Sequence, residues 1–198
     1  LGAELVILDD GFQHRWLARD MDIVLVGRNI EGERLLPAGV LREPPASLGR
    51  ADHILATKGA DLPYPSCDLV PVCLVDLDGR LHPLEAVAKS RVLALCAVGS
   101  PDGFFSTVEG LCRAVVPLAF PDHHRYTETD AALVVRRARG VDAVLTTEKD
   151  LVKIAPAWFS TMKDRFFALR VEMRTHALEE IADEIEDIVR SRRVPGQG

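Results

Sequence analysis

The string DDGFQH, residues 9–14, concentrates acidic and polar side chains directly after a short apolar run. A strand that ends in aspartates places their carboxylates at the C-terminal edge of a parallel sheet, where open α/β folds bind ligands. There Asp9 and Asp10 could hold Mg2+, which in phosphoryl transfer bridges nucleotide phosphates and offsets negative charge. Gln13 and His14 would supply polar groups beside such a metal. The competing interpretation is a helix cap followed by an exposed turn, which an isolated pair of aspartates usually is.

Arg42 and Glu43 stand in a second string, LLPAGVLREP at residues 35–44, just after a turn that contains glycine. Taken alone, such a pair is most often a surface ion pair worth about 0 to 1 kcal/mol. The acidic string before it and the histidine string after it make a functional interpretation more favourable.

A third string, PDHHRY at residues 121–126, places Asp122, His123 and His124 directly after a predicted strand. A histidine beside a carboxylate can orient it and modulate its pKa, so that the carboxylate accepts the proton of an attacking hydroxyl. A single histidine after a strand is more often structural, but two histidines next to an aspartate favour a functional site.

The string TTEKDLVK, residues 146–153, follows a predicted strand and opens a predicted helix. Thr147 and Asp150 resemble a capping box there, which is a structural role. Lys149 and Lys153 could instead face a cleft and meet a phosphate or another anionic group. The sequence leaves both interpretations open.

The elements that position these strings alternate between strand and helix. Leu5–Leu8 and Ile23–Val26 are apolar runs typical of parallel strands covered on both faces, and Asp78-Gly79 predicts a hairpin turn. Further strands are predicted at 50–56, 68–75, 92–98, 115–120, 143–146 and 167–171, and helices at 104–113, 129–139 and 177–190. This order predicts an α/β fold of two Rossmann-like α/β/α lobes joined by a β-hairpin linker, with the first lobe incomplete.

Composition and charge exclude several classes of protein. The 198 residues carry a formal net charge of -6 and a pI near 5.5, which argues against a nucleic-acid binder because such a protein needs a basic face. Four cysteines without metal-ligand spacing are interpreted as small buried residues of a reducing compartment. The longest apolar run, Val92–Val98, is far shorter than the roughly 18 residues that a membrane-spanning helix requires.

Five strings in this order, DDGFQHR, LLPAGxLREP, RAD, FxDHHxYT and TTEKDxxK, resemble the tetraacyldisaccharide 4'-kinases from about Glu4 to Val171. The resemblance implies ATP-dependent phosphorylation of the 4'-hydroxyl of a tetraacylated glucosamine disaccharide, the lipid A precursor. ATP and Mg2+ are the implied cofactors. The implied partners are the acylated disaccharide lipid and ATP, with no nucleic acid.

The resemblance also implies roles for individual residues. Asp9 and Asp10 resemble the family's Walker-B-like carboxylates, which organise Mg2+ at the ATP site, and Asp10 is therefore also expected to be catalytic. Gln13 and His14 are expected beside them. His123 resembles the histidine that pairs with the catalytic aspartate.

The remaining expected site residues line the cleft that holds the substrate. Arg42 and Glu43 match the family's LREP pair, and His124 and Lys149 are expected in the same cleft. Of the two adjacent histidines we favour His123 as the one that acts.

The resemblance sets an expected domain organisation as well. Residues 1–62 are expected to be a partial nucleotide-binding lobe, 63–85 a hairpin linker and 86–198 a C-terminal α/β lobe. The family's phosphate-binding loop, its catalytic aspartate and its membrane-associating N-terminal helix are expected upstream of Leu1. We therefore expect the chain as given to be inactive alone, and the protein to lie peripherally on the cytoplasmic face of the bacterial inner membrane.

Two alternatives remain open. The DHH string also occurs in metal-dependent phosphoesterases, where aspartates and histidines bind two manganese ions and activate water. Such an enzyme needs further aspartates, and Asp76 and Asp78 lie instead in a predicted hairpin. The other alternative is a non-catalytic lobe that binds a partner or an acyl-sugar.

Overall fold

The computed structural model describes residues 3–57 and 59–192, which divide into two compact units. One unit comprises Leu1–Leu69 with Met173–Gly198, and the other comprises Val70–Glu172. The chain has a mixed α/β fold, as the sequence predicts. The functional division at residues 62 and 85 stays a prediction. Across the described residues, no helix is both long and apolar enough to cross a membrane.

The first unit is built on a two-stranded parallel sheet. Strand β1, Ile23–Val26, pairs with β2, His53–Ala56, and a short 3-10 helix at Pro45–Arg50 precedes β2. A C-terminal helix, which we number α4 and which spans Leu178–Arg192, belongs to the same unit. The small core of this unit joins the helix to the sheet through Leu55, Cys67, Ala177 and Ile181.

The prediction of a strand at Leu5–Leu8 is wrong for this structure. The segment is irregular, and its side chains are exposed, with Val6 at 75% and Ile7 at 85%. A strand exists only when a neighbour accepts and donates its backbone hydrogen bonds, and none of the described residues pairs with this segment in a ladder. The β1 strand forms as predicted and, within the described part of the chain, pairs with β2 alone; its Leu25 is half exposed.

The second sheet has six strands in the order β4-β3-β8-β7-β5-β6. The strands are β3 (Cys67–Asp76), β4 (Leu81–His82), β5 (Arg91–Cys96), β6 (Ala114–Ala119), β7 (Ala143–Thr147) and β8 (Phe166–Thr175). The helices between them are α1 (Pro101–Glu109), α2 (Glu128–Arg137) and α3 (Glu148–Leu151), and irregular 3-10 turns fill Pro156–Arg165. Strand β5 lies between β6 and β7, β7 pairs with β8, and these pairs are all parallel.

Both faces of this sheet are covered, as expected for parallel strands whose sequences are continuously apolar. Along β5 the side chains alternate, so that Leu93 and Leu95 enter a core with α2 and the 3-10 turns, while Val92 and Ala94 enter a core with α1. All four are fully buried. The strand ends are thereby held rigidly, and the loops that leave them can position functional side chains.

The hairpin predicted at Asp78-Gly79 is confirmed. Strands β3 and β4 pair antiparallel with Leu74 opposite His82, and Gly79 takes a positive φ of 81° at the turn. The carboxylate of Asp76 accepts the backbone N–H groups of Asp78 and Arg80 at 2.8 and 2.9 Å, which closes the turn. Asp76 therefore has a structural role in the hairpin.

Helix α1 begins at Pro101, three residues earlier than the sequence predicts. Proline is favoured in the first turn of a helix because its φ is already helical and its missing N–H would have no partner there. Helix α2 begins at Glu128 after a capping box formed by Thr127 and Asp130. Its start lies one residue before the predicted one.

Candidate functional site

The DDGFQH string forms an exposed turn in the first unit. Asp10 has a φ of 52°, in the left-handed region that aspartate tolerates better than most residues. The next residue must be glycine, because a Cβ on Gly11 would lie 2.8 Å from the Cβ of Leu8. The carboxylates of Asp9 and Asp10 therefore project from a sharply bent segment, and both residues are exposed.

The LLPAGVLREP string folds back on itself and delivers Arg42 to this turn. Leu36 donates its N–H to the carbonyl of Leu41 at 2.8 Å, and Leu41 donates to Arg34 at 3.2 Å. Gly39 is required inside this loop, because a Cβ there would lie 2.1 Å from the carbonyl oxygen of Arg34. The loop geometry thus explains the glycine in the string.

Two contacts join the first two strings. Arg42 donates from Nη1 to Oδ2 of Asp10 at 2.7 Å, and both side chains are more than half exposed. Arg50 places its guanidinium 4.5 Å from the centre of the Phe12 ring and 2.8 Å from Oε2 of Glu43. Arg50 is the main cause of the lowered pKa of Glu43, with a contribution from Ser47.

The predicted residues of the first unit are thus only partly brought together. Asp10 contacts Arg42, and Glu43 is linked through Arg50 to Phe12 rather than to an aspartate. The side chains of Gln13 and His14 are exposed to solvent on the same turn. Arg50 is not among the residues that the sequence predicts for the site, although it belongs to the RAD string.

The Asp9-Asp10 pair suits the chemistry of Mg2+ in its donor atoms. Mg2+ keeps several water ligands and is usually bound by one or two carboxylates together with substrate phosphates. Two adjacent exposed carboxylates meet that requirement without a closed protein cage. Over residues 3–57 and 59–192, no group of three or more His, Cys, Asp or Glu side chains could hold a metal ion by itself.

In the second unit, the PDHHRY string forms the loop that leaves β6. His123 has a φ of 58° and a side chain that is 80% exposed. Its Nε2 lies 3.6 Å from Oδ2 of Asp122, and its backbone N–H donates to Oδ1 of Asp122 at 2.9 Å. Lys149 places its Nζ 3.5 Å from Oδ1 of Asp122. Asp122 therefore lies between a histidine and a lysine.

The pKa of Asp122 reflects these neighbours. Burial acts to raise it, but the backbone N–H of His123 and the positive charges of His123 and Lys149 outweigh burial, so the pKa is lowered. Gly99, in the loop after β5, leaves room for this carboxylate, since a Cβ there would lie 3.2 Å from Oδ2 of Asp122. The loops after β5, β6 and β7 thus meet at the C-terminal edge of the parallel strands, where open α/β folds bind ligands.

His124 has a different environment from His123. Its Nε2 lies 3.0 Å from Oδ2 of Asp130, and its ring stacks on Phe120 at a centroid distance of 4.8 Å. The ring of Tyr126 meets it edge-on at 5.3 Å. The sequence reasoning missed Asp130, although a threonine followed three residues later by an acidic residue is a recognisable capping signal.

The TTEKDLVK string has a buried structural centre. Asp150 is fully buried, accepts the N–H of Ala97 at 2.9 Å and the hydroxyl of Thr147 at 2.8 Å, and lies 3.1 Å from Nζ of Lys153. The two lysines therefore have different surroundings. Lys153 pairs with the buried carboxylate of Asp150, whereas the side chain of Lys149 is half exposed beside Asp122. The sequence reasoning recognised the cap but missed this link between β7 and β5.

Tyr126 lies close to this buried carboxylate. Its hydroxyl is buried and has no hydrogen-bond partner among the residues that the structure describes. Burial, followed by the negative charge of Asp150, raises the pKa of Tyr126. Its phenol therefore stays protonated, and the ring serves as packing for the histidine loop.

The fold and its loops define an α/β protein with charged side chains at the C-terminal edge of its parallel strands. This is the edge at which open α/β folds bind ligands. The family model for LpxK, tetraacyldisaccharide-1-P 4'-kinase, matches residues 1–190. The chain belongs to this family. The resemblance inferred from the five strings is thereby confirmed.

The relatives that this chain is similar to carry the same description. A tetraacyldisaccharide 4'-kinase from Anaeromyxobacter dehalogenans (strain 2CP-C) is 38% identical over 87% of this chain and 52% of its own length. One from Koribacter versatilis (strain Ellin345) is 36% identical over 97% of this chain and 60% of its own length. The chain therefore spans about half the length of the curated relatives it matches.

A solved structure has the same fold. The crystal structure of the "apo" form of LpxK from Aquifex aeolicus in complex with ATP superposes with a TM-score of 0.62 and 28% sequence identity. The match covers 90% of this chain and 56% of that one. The α/β assignment is thus supported by a related structure as well as by the elements described above.

Proposed function

We propose that this chain is part of an ATP-dependent kinase that phosphorylates the 4'-hydroxyl of a tetraacylated glucosamine disaccharide, the lipid A precursor. The observation that carries the proposal is membership of the tetraacyldisaccharide-1-P 4'-kinase family over residues 1–190. The contact between Asp10 and Arg42 adds support, because it joins two of the five strings that led to the same family.

ATP is the proposed phosphoryl donor. The related Aquifex structure holds ATP, which supports this choice. The 198 residues contain no G-x-x-x-x-G-K-[ST] string, the usual phosphate-binding loop of such enzymes. We therefore propose that this loop and the catalytic aspartate are supplied from outside the 198 residues, which by themselves transfer no phosphate.

Asp9 and Asp10 are the proposed ligands of Mg2+. When bound there, Mg2+ would supply positive charge that offsets the negative charge developing during phosphate transfer. Arg42 would hold the Asp10 carboxylate in one orientation while the metal is absent and would add positive charge beside the phosphates. Gln13, His14 and Glu43 are proposed as further polar residues of this part of the site.

His123 is the proposed partner of the catalytic carboxylate. An exposed imidazole at the edge of the sheet can orient such a carboxylate and tune its pKa, so that it accepts the proton of the 4'-hydroxyl. Lys149 is half exposed beside Asp122 and is available to an anionic group of the substrate, such as the 1-phosphate.

The proposed substrate also sets the proposed location. An acylated disaccharide is anchored in a bilayer by its chains, so its kinase must act at a membrane surface. We propose peripheral association with the cytoplasmic face of the inner membrane, through residues outside the 198. The acidic net charge of the chain gives no support to a nucleic-acid partner.

The test is a transfer assay with the full-length gene product. The protein is incubated with ATP, Mg2+ and a tetraacylated glucosamine disaccharide 1-phosphate, and the product is located by phosphorus NMR and mass spectrometry. A new phosphate on the 4' position is expected. A folded protein that leaves the disaccharide unchanged would contradict the proposal.

Two controls sharpen this assay. A 4'-deoxy disaccharide offers no acceptor hydroxyl and should give no phosphorylated product. A phosphodiester incubated with Mn2+ and no ATP tests the phosphoesterase alternative, and its hydrolysis together with absent transfer would favour that alternative.

A further inference from the structure

The two adjacent histidines of the loop after β6 have opposite surroundings. The side chain of His123 is 80% exposed, whereas that of His124 is 25% exposed and has partners on three sides. We expect two neighbouring histidines in such different environments to have different roles. The environment of His124 is therefore informative about its role.

The Nε2 atom of His124 is within hydrogen-bond distance of Asp130. Nε2 lies 3.0 Å from Oδ2 of Asp130, and the same oxygen accepts the backbone N–H and the hydroxyl of Thr127 at 2.8 and 2.7 Å. Asp130 is also the third residue of α2 and forms the capping box with Thr127. Through this carboxylate the histidine is fixed to the N-terminus of a helix.

The faces of the His124 ring are committed as well. Phe120 stacks on it at 4.8 Å with an interplanar angle of 22°, and Tyr126 meets it edge-on. Phe120 is itself held at the end of the sheet, because its N–H donates to the carbonyl of Cys96 at 2.8 Å. The aromatic contacts thus join the ring to the sheet, while Asp130 joins it to α2.

The residue before His123 is also held. Asp122 accepts the N–H of His123 and lies 3.5 Å from Nζ of Lys149 at the start of α3. His123 thus stands between two anchored neighbours and takes a φ of 58°. Left-handed backbone in a residue other than glycine persists where the surroundings determine it, and it concentrates at functional sites.

We infer that His124 is a positioning residue: its contacts with Asp130, Phe120 and Tyr126 fix the loop conformation that directs the His123 side chain outward. This inference rests on the proposed function for the chemistry of His123. It assigns His124 to the support of the site and removes it from the residues that meet the substrate. Asp130 shares this role, since it links the ring to α2.

The kinetic test compares three variants of the full-length gene product with the wild type and with His123→Ala. His124→Phe keeps an aromatic ring and loses the nitrogen that meets Asp130, whereas His124→Gln keeps a donor of hydrogen bonds. His82→Phe is the matched control, because His82 also lies 2.8 Å from an aspartate and meets a phenylalanine ring edge-on. The comparison of His124→Phe with His82→Phe distinguishes the effect of losing the contact between His124 and Asp130 from the effect of losing any histidine–aspartate pair.

His124→Phe is expected to lower kcat by about 10- to 100-fold with KM nearly unchanged, because the reacting geometry and not substrate binding is disturbed. His124→Gln should recover most of this loss, and His82→Phe should keep wild-type kcat. A folded His124→Phe variant with wild-type kcat would overturn the inference. The inference would also be overturned if His124→Gln were as inactive as His123→Ala, because His124 would then take part in the chemistry itself.

Hydrogen exchange of the same variants gives a readout that needs no activity. His124→Phe should speed amide exchange in residues 121–126 and leave β5 unchanged, while His82→Phe should leave residues 121–126 unchanged. Unaltered exchange in the loop of His124→Phe would refute the positioning role even if the proposed kinase activity is found. If the wild-type protein transfers no phosphate, the proposed function fails, and this exchange measurement alone decides on His124.

Discussion

Arg42 donates a hydrogen bond from Nη1 to Oδ2 of Asp10 over 2.7 Å, although 32 residues separate them along the chain. Both side chains are mostly exposed, at 61% and 69%. An exposed pair of this kind contributes only about 0 to 1 kcal/mol to stability. The pair therefore adds little to the free energy of folding, and its proposed role in binding or catalysis needs a direct test.

Replacement of Arg42 by alanine should lower kcat of the full-length enzyme by about tenfold or more, because a charge beside the transferring phosphates is lost. The melting temperature should hardly change. The matched control is Arg190→Ala, since Arg190 is similarly exposed and pairs with Glu186 on α4. Equal activity of the two variants, measured under saturating ATP, would contradict the proposed role of Arg42.

Asp150→Ala should strongly destabilise the protein. The variant leaves the N–H of Ala97 and the hydroxyl of Thr147 without their buried acceptor and removes the partner of Lys153. Loss of a buried, hydrogen-bonded charge typically costs about 3 to 5 kcal/mol. Denaturant titration measures this change. Asp187→Ala, on the exposed face of α4, should change stability by less than about 0.5 kcal/mol.

The hairpin carboxylate predicts a dependence of stability on pH. Burial acts to raise the pKa of Asp76, but hydrogen bonds from His82 and from the N–H groups of Arg80 and Asp78 outweigh it, and the pKa is lowered. The folded pKa is therefore below the unfolded value of about 4, so the stabilisation is complete above that pH and is lost as pH falls towards the folded pKa.

Asp76→Asn should accordingly be less stable than the wild type at pH 6, and the difference should shrink below about pH 4. Unfolding free energies of both proteins at several pH values measure it. Asp78→Asn serves as control, because Asp78 is more exposed and pairs with Lys163 at the surface. A difference for Asp76→Asn that grows on acidification would have the wrong sign for this explanation.

The 198-residue chain by itself should associate in solution. Leu5, Val6 and Ile7 are 50%, 75% and 85% exposed, and Leu25 of β1 is 50% exposed. Contiguous exposed apolar surface favours association. Analytical ultracentrifugation should show oligomers that Ile7→Lys reduces, and Val152→Lys, at an equally exposed but distant position in sequence, should reduce them less. A wild-type monomer that melts cooperatively would contradict this prediction.

Local patterns in the sequence predicted the second sheet well, because its strands and helices carry their own signals. The apolar run Val92–Val98 and the turn pair Asp78-Gly79 each specify an element through nearby residues. The prediction of a strand at Leu5–Leu8 is wrong because an apolar run forms a strand only where another strand pairs with it. Whether such a partner is present depends on residues far away in the sequence, and a local pattern carries no information about them.

The sequence strings supply candidate site residues but not the contacts that those residues make. Asp10, Arg42 and His123 stay predictions from the strings, whereas the observed pairing of Asp10 with Arg42 depends on how a loop closes around Gly39. The separation of His123 from His124 likewise depends on which ring meets Asp130. Side-chain packing and hydrogen-bond geometry determine these contacts. The sequence alone does not show which of two adjacent histidines makes them.

The most direct test of the account is the rate of phosphate transfer from ATP to the 4'-hydroxyl of the acylated disaccharide by the full-length gene product and two variants. Asp10→Asn and His123→Gln should each lower turnover by at least about 10²-fold, the usual scale for a lost acid, base or charge-stabilising group. Both variants should keep the wild-type melting temperature, since both side chains are largely exposed. Turnover at the wild-type rate in both folded variants would contradict the account.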